Sequence, residues 1–249
     1  MCYHTTVKTT AVQLRAAFKN KPFIDEDLLP TYYHANGFAR PLMPVVLKDD
    51  IRLLRWGLVP VWVKDEVQAK KMAASTLNAR DETIFKLPSF RGSIIKNRCI
   101  IPVTGFFEPH THEKKKYPFL ILPKDKPFLN LAGIYSHWKN PATNEWLSSF
   151  SIITTVPNRP LKAIHNEKDR MAVILDDRNT DVWLDSDLPT DGITALMAPC
   201  DESHIMAYSV SKDLFSPKID SNRPDILDYV AYPELAYNEE LYKGFNRNV

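Results

Sequence analysis

Cysteine and glycine are scarce in this chain, with three and seven in 249 residues. Cys2, Cys99 and Cys200 are too few and too scattered for a disulfide framework, and no Cys-x-x-Cys or histidine pair has zinc-finger spacing. A reducing, intracellular setting is expected, with no metal or cofactor. Long apolar runs are also missing. The first apolar stretch, around Ala11 to Phe18, is broken by Arg15 and is too short for a signal sequence or a membrane span. A soluble cytoplasmic protein without a membrane partner is the expectation. Nor is there a strong net charge, although the total of +2 hides a regional bias. Residues 51–100 carry ten Lys/Arg against four Asp/Glu, whereas residues 221–249 carry three against five. That asymmetry suits either a polyanion-binding face or an ordinary solvated basic surface.

What is present is enough apolar residue, 44 %, for one substantial core. We expect a single domain over residues 1–232, with residues 233–249 as a polar and aromatic C-terminal tail. Short β-branched or aromatic runs predict strands at Ile51–Val59, Arg98–Val103, Gly105–Glu108, Tyr117–Leu122, Leu129–Tyr135 and Ser149–Thr155. His110 to Lys116 reads as an exposed hairpin loop between two of them. Helices are expected at Thr10–Lys19, Asp81–Lys86, Ser89–Lys96, Pro157–Ala163, Asp177–Leu184 and Thr190–Met197, several of them after an Asp, Ser or Thr suited to capping. The fold class is therefore α+β and strand-rich. No regular βαβ alternation supports a doubly wound nucleotide-binding sheet.

The second residue carries the most specific chemistry. Removal of Met1 would leave Cys2 with an α-amine and a thiol on adjacent carbons, with ordinary pKa values of about 8 and about 8.5. Such a 1,2-aminothiol attacks an aldehyde through nitrogen and then closes through sulfur to a thiazolidine. The closure is intramolecular, with effective molarities of about 10⁵ M or more.

Four further segments stand out. Arg55 to Trp62 places two tryptophans around Gly57 and Pro60, as a hydrophobic plug or an exposed apolar turn. In Leu77 to Thr83, Asn78 and Arg80 lie two apart, so an extended backbone points them the same way. Either Asn78 holds a substrate oxygen while Arg80 forks onto a phosphate, or they serve as a cap and an ion-pair partner. Glu108 sits in the apolar run Ile101 to Pro109, where burial would raise its pKa and suit it to acid/base work; a structural salt bridge is the other reading. His165 follows an expected helix, with Arg170 nearby, as an acid/base group or a structural histidine.

In order, Met1-Cys2, WGLVPVW, NARDET, PSFR, RCIIPVTGFFE, PFLILP, LAGIY-x-x-W, SFSIITT-x-x-N and IHN-x-x-x-RM-x-VIL resemble the SOS response-associated peptidase (SRAP) family over about residues 1–185. The resemblance implies a curved antiparallel or mixed sheet, or barrel-like core, with flanking helices. It also implies a monomer that captures abasic sites in single-stranded DNA, cytoplasmic and nucleoid-associated when bound. By the family pattern, Cys2 forms the thiazolidine with C1′ of the sugar. Asn78 positions the sugar or the Cys2 amine, Glu108 shuttles protons, and His165 acts on O4′. Arg80 binds the flanking phosphate, Trp62 and Pro41 stack on or wedge between bases, and Arg91, Thr155 and Arg170 are further phosphate contacts.

Three departures from the family pattern stand out. Tyr3-His4 follows Cys2 where the family usually has Gly-Arg, Pro109 follows Glu108 in place of a Trp, and four residues separate His165 from Arg170. Two other functions are weighed against capture. An N-terminal-nucleophile amidohydrolase or peptidase would use the Cys2 thiolate with its own amine as base, though glycine-rich signals of such a fold are missing. A non-covalent single-strand-binding module would need only Trp62, Arg80 and the basic region.

Overall fold

The computed structural model describes residues 2–236 and 241. Its strands are β1 His4–Val7, β2 Tyr32–Asn36, β3 Leu42–Val46, β4 Ile51–Trp56, β5 Asn78–Arg80, β6 Arg98–Val103, β7 Gly105–His112, β8 Lys115–Pro123, β9 Leu129–Lys139, β10 Trp146–Thr155, β11 Met171–Ala172, β12 Ile174–Leu175 and β13 Ile205–Ser209. The helices are α1 Ala11–Ala17, α2 Glu66–Ser75, α3 Arg91–Lys96, α4 Arg159–Ile164, α5 Thr180–Leu184 and α6 Thr190–Leu196. Five strands close on themselves in the order β3-β4-β10-β9-β6 and back to β3. Only β4 and β10 run parallel around this ring. Closure leaves no free edge within the barrel. A second sheet follows the order β13-β8-β7-β1-β2, so the strand carrying the N-terminal residues lies inside it, between β7 and β2.

Alternation along the strands divides the interior. Met43, Val45, Leu54, Trp56, Cys99, Ile101, Leu131, Phe150 and Ile152 pack with Cys2, Phe106, Leu161 and Ile164 in one core. Their strand neighbours Val46, Ile51, Ile100, Ala132, Ile134 and Ile153 pack with residues of α1, α3, α5 and α6 in another. Trp56 centres the first core: its Nε1 donates to the Leu77 carbonyl at 2.9 Å, and its ring stacks on Phe150 at 5.9 Å.

Gly57 turns the chain out of β4 at φ 101°, and a Cβ there would lie 2.5 Å from the Ala73 carbonyl oxygen. Backbone conformation and backbone contact thus both demand glycine. Gly57→Ala is expected to cost at least about 2 kcal/mol, read as a lower denaturation midpoint at an unchanged m-value.

Several sequence expectations need correction. The expected loop at His110 to Lys116 is mostly strand, because β7 and β8 run on to a turn at Glu113 and Lys114, both with positive φ, and His110 is buried. Asp81 to Lys86 forms turns and no helix. The unexpected α2 is polar on most of its surface and buries only Ala69 and Ala73, so it lacks the apolar stripe that marks a helix in sequence. In the segment beginning at Pro233, Leu235 and Leu241 are buried in the Cys2 core; residues 237–240 and 242–249 lie outside those described.

Candidate active site

The site is built around β1 and β7. Their antiparallel register pairs His4 with Phe107 and Thr5 with Phe106, and continuing it brings Tyr3 and Cys2 alongside Glu108 and Pro109. Cys2 is fully buried and its sulfur accepts from the His4 N–H. Burial first, and the nearby Glu108 carboxylate second, push its thiol far above the usual range. Phe106 and Glu108 share the face of β7 toward the Cys2 core, while Phe107 points the other way into a separate cluster. Glu108 is buried too, and that burial raises its carboxyl to about 7.

His165 follows α4 directly. Its Nδ1 lies 3.2 Å from Glu108 Oε2 and 3.2 Å from the Arg170 carbonyl. A carbonyl only accepts, so this geometry assigns the proton to Nδ1. Burial lowers the ring to about 4, so at neutral pH His165 is neutral while Glu108 stands near its midpoint. Burial therefore outweighs the attraction that would favour a charged pair.

The groups that hold His165 against β7 were not singled out from the sequence. His110 Nδ1 lies 3.1 Å from the carbonyls of both Ala163 and Ile164, the last turn of α4. Asn166 bonds both backbone groups of Thr111, at 2.9 and 2.8 Å. The one sequence signal was parity, because His110 lies two residues beyond Glu108 and so shares its face.

Asn78 begins β5, which runs parallel to β10 opposite Ile152. Its amide oxygen and nitrogen are both buried with no hydrogen-bond partner among the described residues. Arg80, at the other end of β5, is exposed and near Tyr3, whose hydroxyl is pushed up by burial first and Glu108 second, with Arg80 opposing them. Trp62 is 45 % exposed, its Nε1 donating to the Pro88 carbonyl at 3.2 Å. Pro41 is half-buried and its carbonyl accepts from Trp56 N–H, while Arg91 stands exposed at the start of α3.

Arg170 and Thr155 are engaged internally. The Arg170 guanidinium reaches Asp81 at 3.0 Å, Glu82 at 2.5 Å, the Thr154 hydroxyl at 3.1 Å and the Thr154 carbonyl. The Thr155 hydroxyl donates to Asp81 at 2.7 Å. Arg170 thus anchors the turn after Arg80 with its side chain and His165 with its carbonyl. Among the described residues no cluster of three His, Cys, Asp or Glu could hold a metal ion, and no helix is long and apolar enough to cross a membrane.

These features coincide with a known sequence pattern. The family described as SOS response associated peptidase (SRAP) matches residues 1–217, and the chain belongs to it. Among its relatives is "Abasic site processing protein YoqW" of Bacillus subtilis (strain 168), 40 % identical over 213 residues, covering 82 % of this chain and 91 % of that protein. "Abasic site processing protein HMCES" of Gallus gallus is 31 % identical over 169 residues, covering 59 % of this chain and 49 % of that protein. A crystal structure of a protein from Bacteroides thetaiotaomicron superimposes with a TM-score of 0.85 at 35 % identity, covering 92 % of this chain and all of that one.

Proposed function

We propose that this protein captures abasic sites in single-stranded DNA by forming a thiazolidine on Cys2 once Met1 has been removed. The observation that carries the reading is a fully buried cysteine at position 2 beside a carboxyl held near 7 and a neutral, oriented imidazole. The names of the relatives point to the same lesion. As an internal residue Cys2 is a poor nucleophile, because burial and Glu108 keep its thiol protonated. Hydrolysis of the Met1–Cys2 bond would place an ammonium group next to that thiol and lower its pKa.

The ring-opened sugar then presents an aldehyde at C1′. The Cys2 amine adds to it, and the carbinolamine loses water to give an imine. The thiol adds across the C=N bond, forming S–C1′ while its proton passes to nitrogen, so one water leaves overall. Glu108, titrating near neutrality, takes the ammonium proton and returns one to the departing hydroxyl. His165 acts on O4′ or on the hydroxyl it becomes, and the unsatisfied amide of Asn78 holds the sugar or the amine.

Arg80 and Arg91 offer exposed guanidiniums to flanking phosphates, and Trp62 with Pro41 supplies an apolar rim for unpaired bases. Thr155 and Arg170 act in this reading as struts behind Arg80 and His165, the Thr155 hydroxyl and the Arg170 Nη1 and Nη2 atoms being engaged by protein. Trp62→Ala is expected to weaken binding to an undamaged single strand about tenfold, measured by fluorescence anisotropy at fixed salt.

The test of the reading is denaturing electrophoresis of the purified protein with a single-stranded oligonucleotide carrying one abasic site. A heat-resistant band is expected, absent with the intact strand. The adduct mass should equal protein without Met1 plus DNA, less one water. No band from protein whose mass shows Met1 removed overturns the reading and favours amide hydrolysis by the same thiol.

A further inference from the structure

Position 4, where this chain departs from the usual family start, carries chemistry that capture of the sugar does not use. His4 Nδ1 lies 2.9 Å from Nε2 of His34 on the neighbouring β2, and His34 Nδ1 lies 2.6 Å from the Ser221 hydroxyl. The adjacent Asn222 accepts through Oδ1 from the N–H groups of Tyr33 and His34, at 2.9 and 3.3 Å. Ser221 and Asn222 lie beyond residue 217, where the family match ends. A line of side chains thus runs from the N-terminal strand, through β2, to a segment outside the shared family sequence.

The line is built into the fold. Phe215 packs edge-on against His4 at 5.3 Å, and Phe107 packs edge-on against His34 at 5.7 Å. Burial lowers His4 to about 3 and His34 to about 4, so both rings are neutral under ordinary conditions and their contact is a hydrogen bond, not a clash of charges. Phe107 points away from the Glu108 face, and His4 pairs with it, so the two histidines lie on the far side of the sheet from Glu108.

The line adds to the backbone bonds that already hold this short strand, among them Gly37 N–H to the Tyr3 carbonyl at 2.8 Å and Thr104 N–H to the Thr6 carbonyl at 2.9 Å. The strand has four residues, three paired positions on each side and a register shift between Thr5 and Val7. Cys2 lies two residues before β1, so any change in that register shifts Cys2 relative to Glu108.

We propose that the His4–His34–Ser221 line, with Asn222 bracing β2, is a positioning device that fixes the register of β1 and so places Cys2 beside Glu108. It rests on the capture reading for its functional meaning. His4 and His34 are positioning residues, because neither reaches the substrate. The device makes residues 221–222 part of the mount of the nucleophile at the other end of the chain.

The experiment compares the full-length mature protein with Ser221→Ala and the conservative Ser221→Thr, with His34→Gln as a second probe of the line. Hydrogen exchange at the Tyr3–Thr6 amides, the rate of adduct formation and affinity for an undamaged strand are measured for each. Ser221→Ala is expected to speed exchange in β1 at least about tenfold and to slow adduct formation about tenfold, with undamaged-strand affinity within about twofold. Ser221→Thr should restore most of both, and His34→Gln should fall between. Adduct formation at the wild-type rate in Ser221→Ala overturns the proposal, as does a loss shared equally by undamaged-strand binding. If wild type forms no adduct while Ser221→Ala still loosens β1, the capture reading fails and the structural tie stands.

Discussion

Cys2→Ala is expected to abolish the heat-stable adduct, a loss of at least about a thousandfold in yield, with undamaged-strand affinity within about twofold. The loss is complete because no other thiol can substitute. Cys99 is fully buried and its thiol is raised well above its usual value by that burial. Cys200 is pushed up to about 12, mainly by burial. The variant keeps the α-amine, so an imine still forms, but without sulfur to close the ring it returns to aldehyde on heating. Borohydride should therefore reveal a band in Cys2→Ala that is absent without reduction. A heat-stable band in the untreated variant would assign the linkage to another residue.

Glu108→Gln is expected to slow adduct formation about a hundredfold, since the amide keeps the shape and loses the proton transfer. The pH profile supplies the sharper check. Glu108 becomes a carboxylate only above about 7, so the wild-type rate should climb through that region and level off, while the variant lacks the step. Stability carries a second signature of the opposite sign. Folding raises the Glu108 carboxyl from 4.5 to about 7, so the folded state binds its proton more tightly than the unfolded chain. That contribution is fully present below about 4.5, declines as pH rises toward 7 and is gone above it. Thermal unfolding of wild type should show this decline, and Glu108→Gln should flatten it.

The barrel strands were legible where β-branched residues run together: the expected Arg98–Val103 coincides with β6, and Leu129–Tyr135 and Ser149–Thr155 fall inside β9 and β10. β1, β2 and β5 were not, being three to five residues long and mixed in polarity. They form because neighbours distant in sequence supply their hydrogen bonds. At the site, Cys2, Asn78, Glu108 and His165 stood out by residue type and setting. The engagement of Arg170 did not, because it depends on Asp81 and Glu82, 89 and 88 residues away. A guanidinium free for DNA and one spent on carboxylates read alike in sequence. The same holds for His110, whose role appears only once α4 is folded against β7.

The central place of β1 in its sheet bears on the order of events during synthesis. Its residues leave the ribosome well before those of one of its partners, β7, which begins at Gly105. At about 5–20 residues per second, that partner follows about 5–20 s later. Over that interval the amino terminus has no finished sheet to enter, so a processing enzyme meets it as open chain. Once β7 arrives the terminus is drawn into the core and that opportunity closes. A protein tag fused before Met1 would therefore do more than mask an amine: it would have to be threaded out from the middle of a sheet.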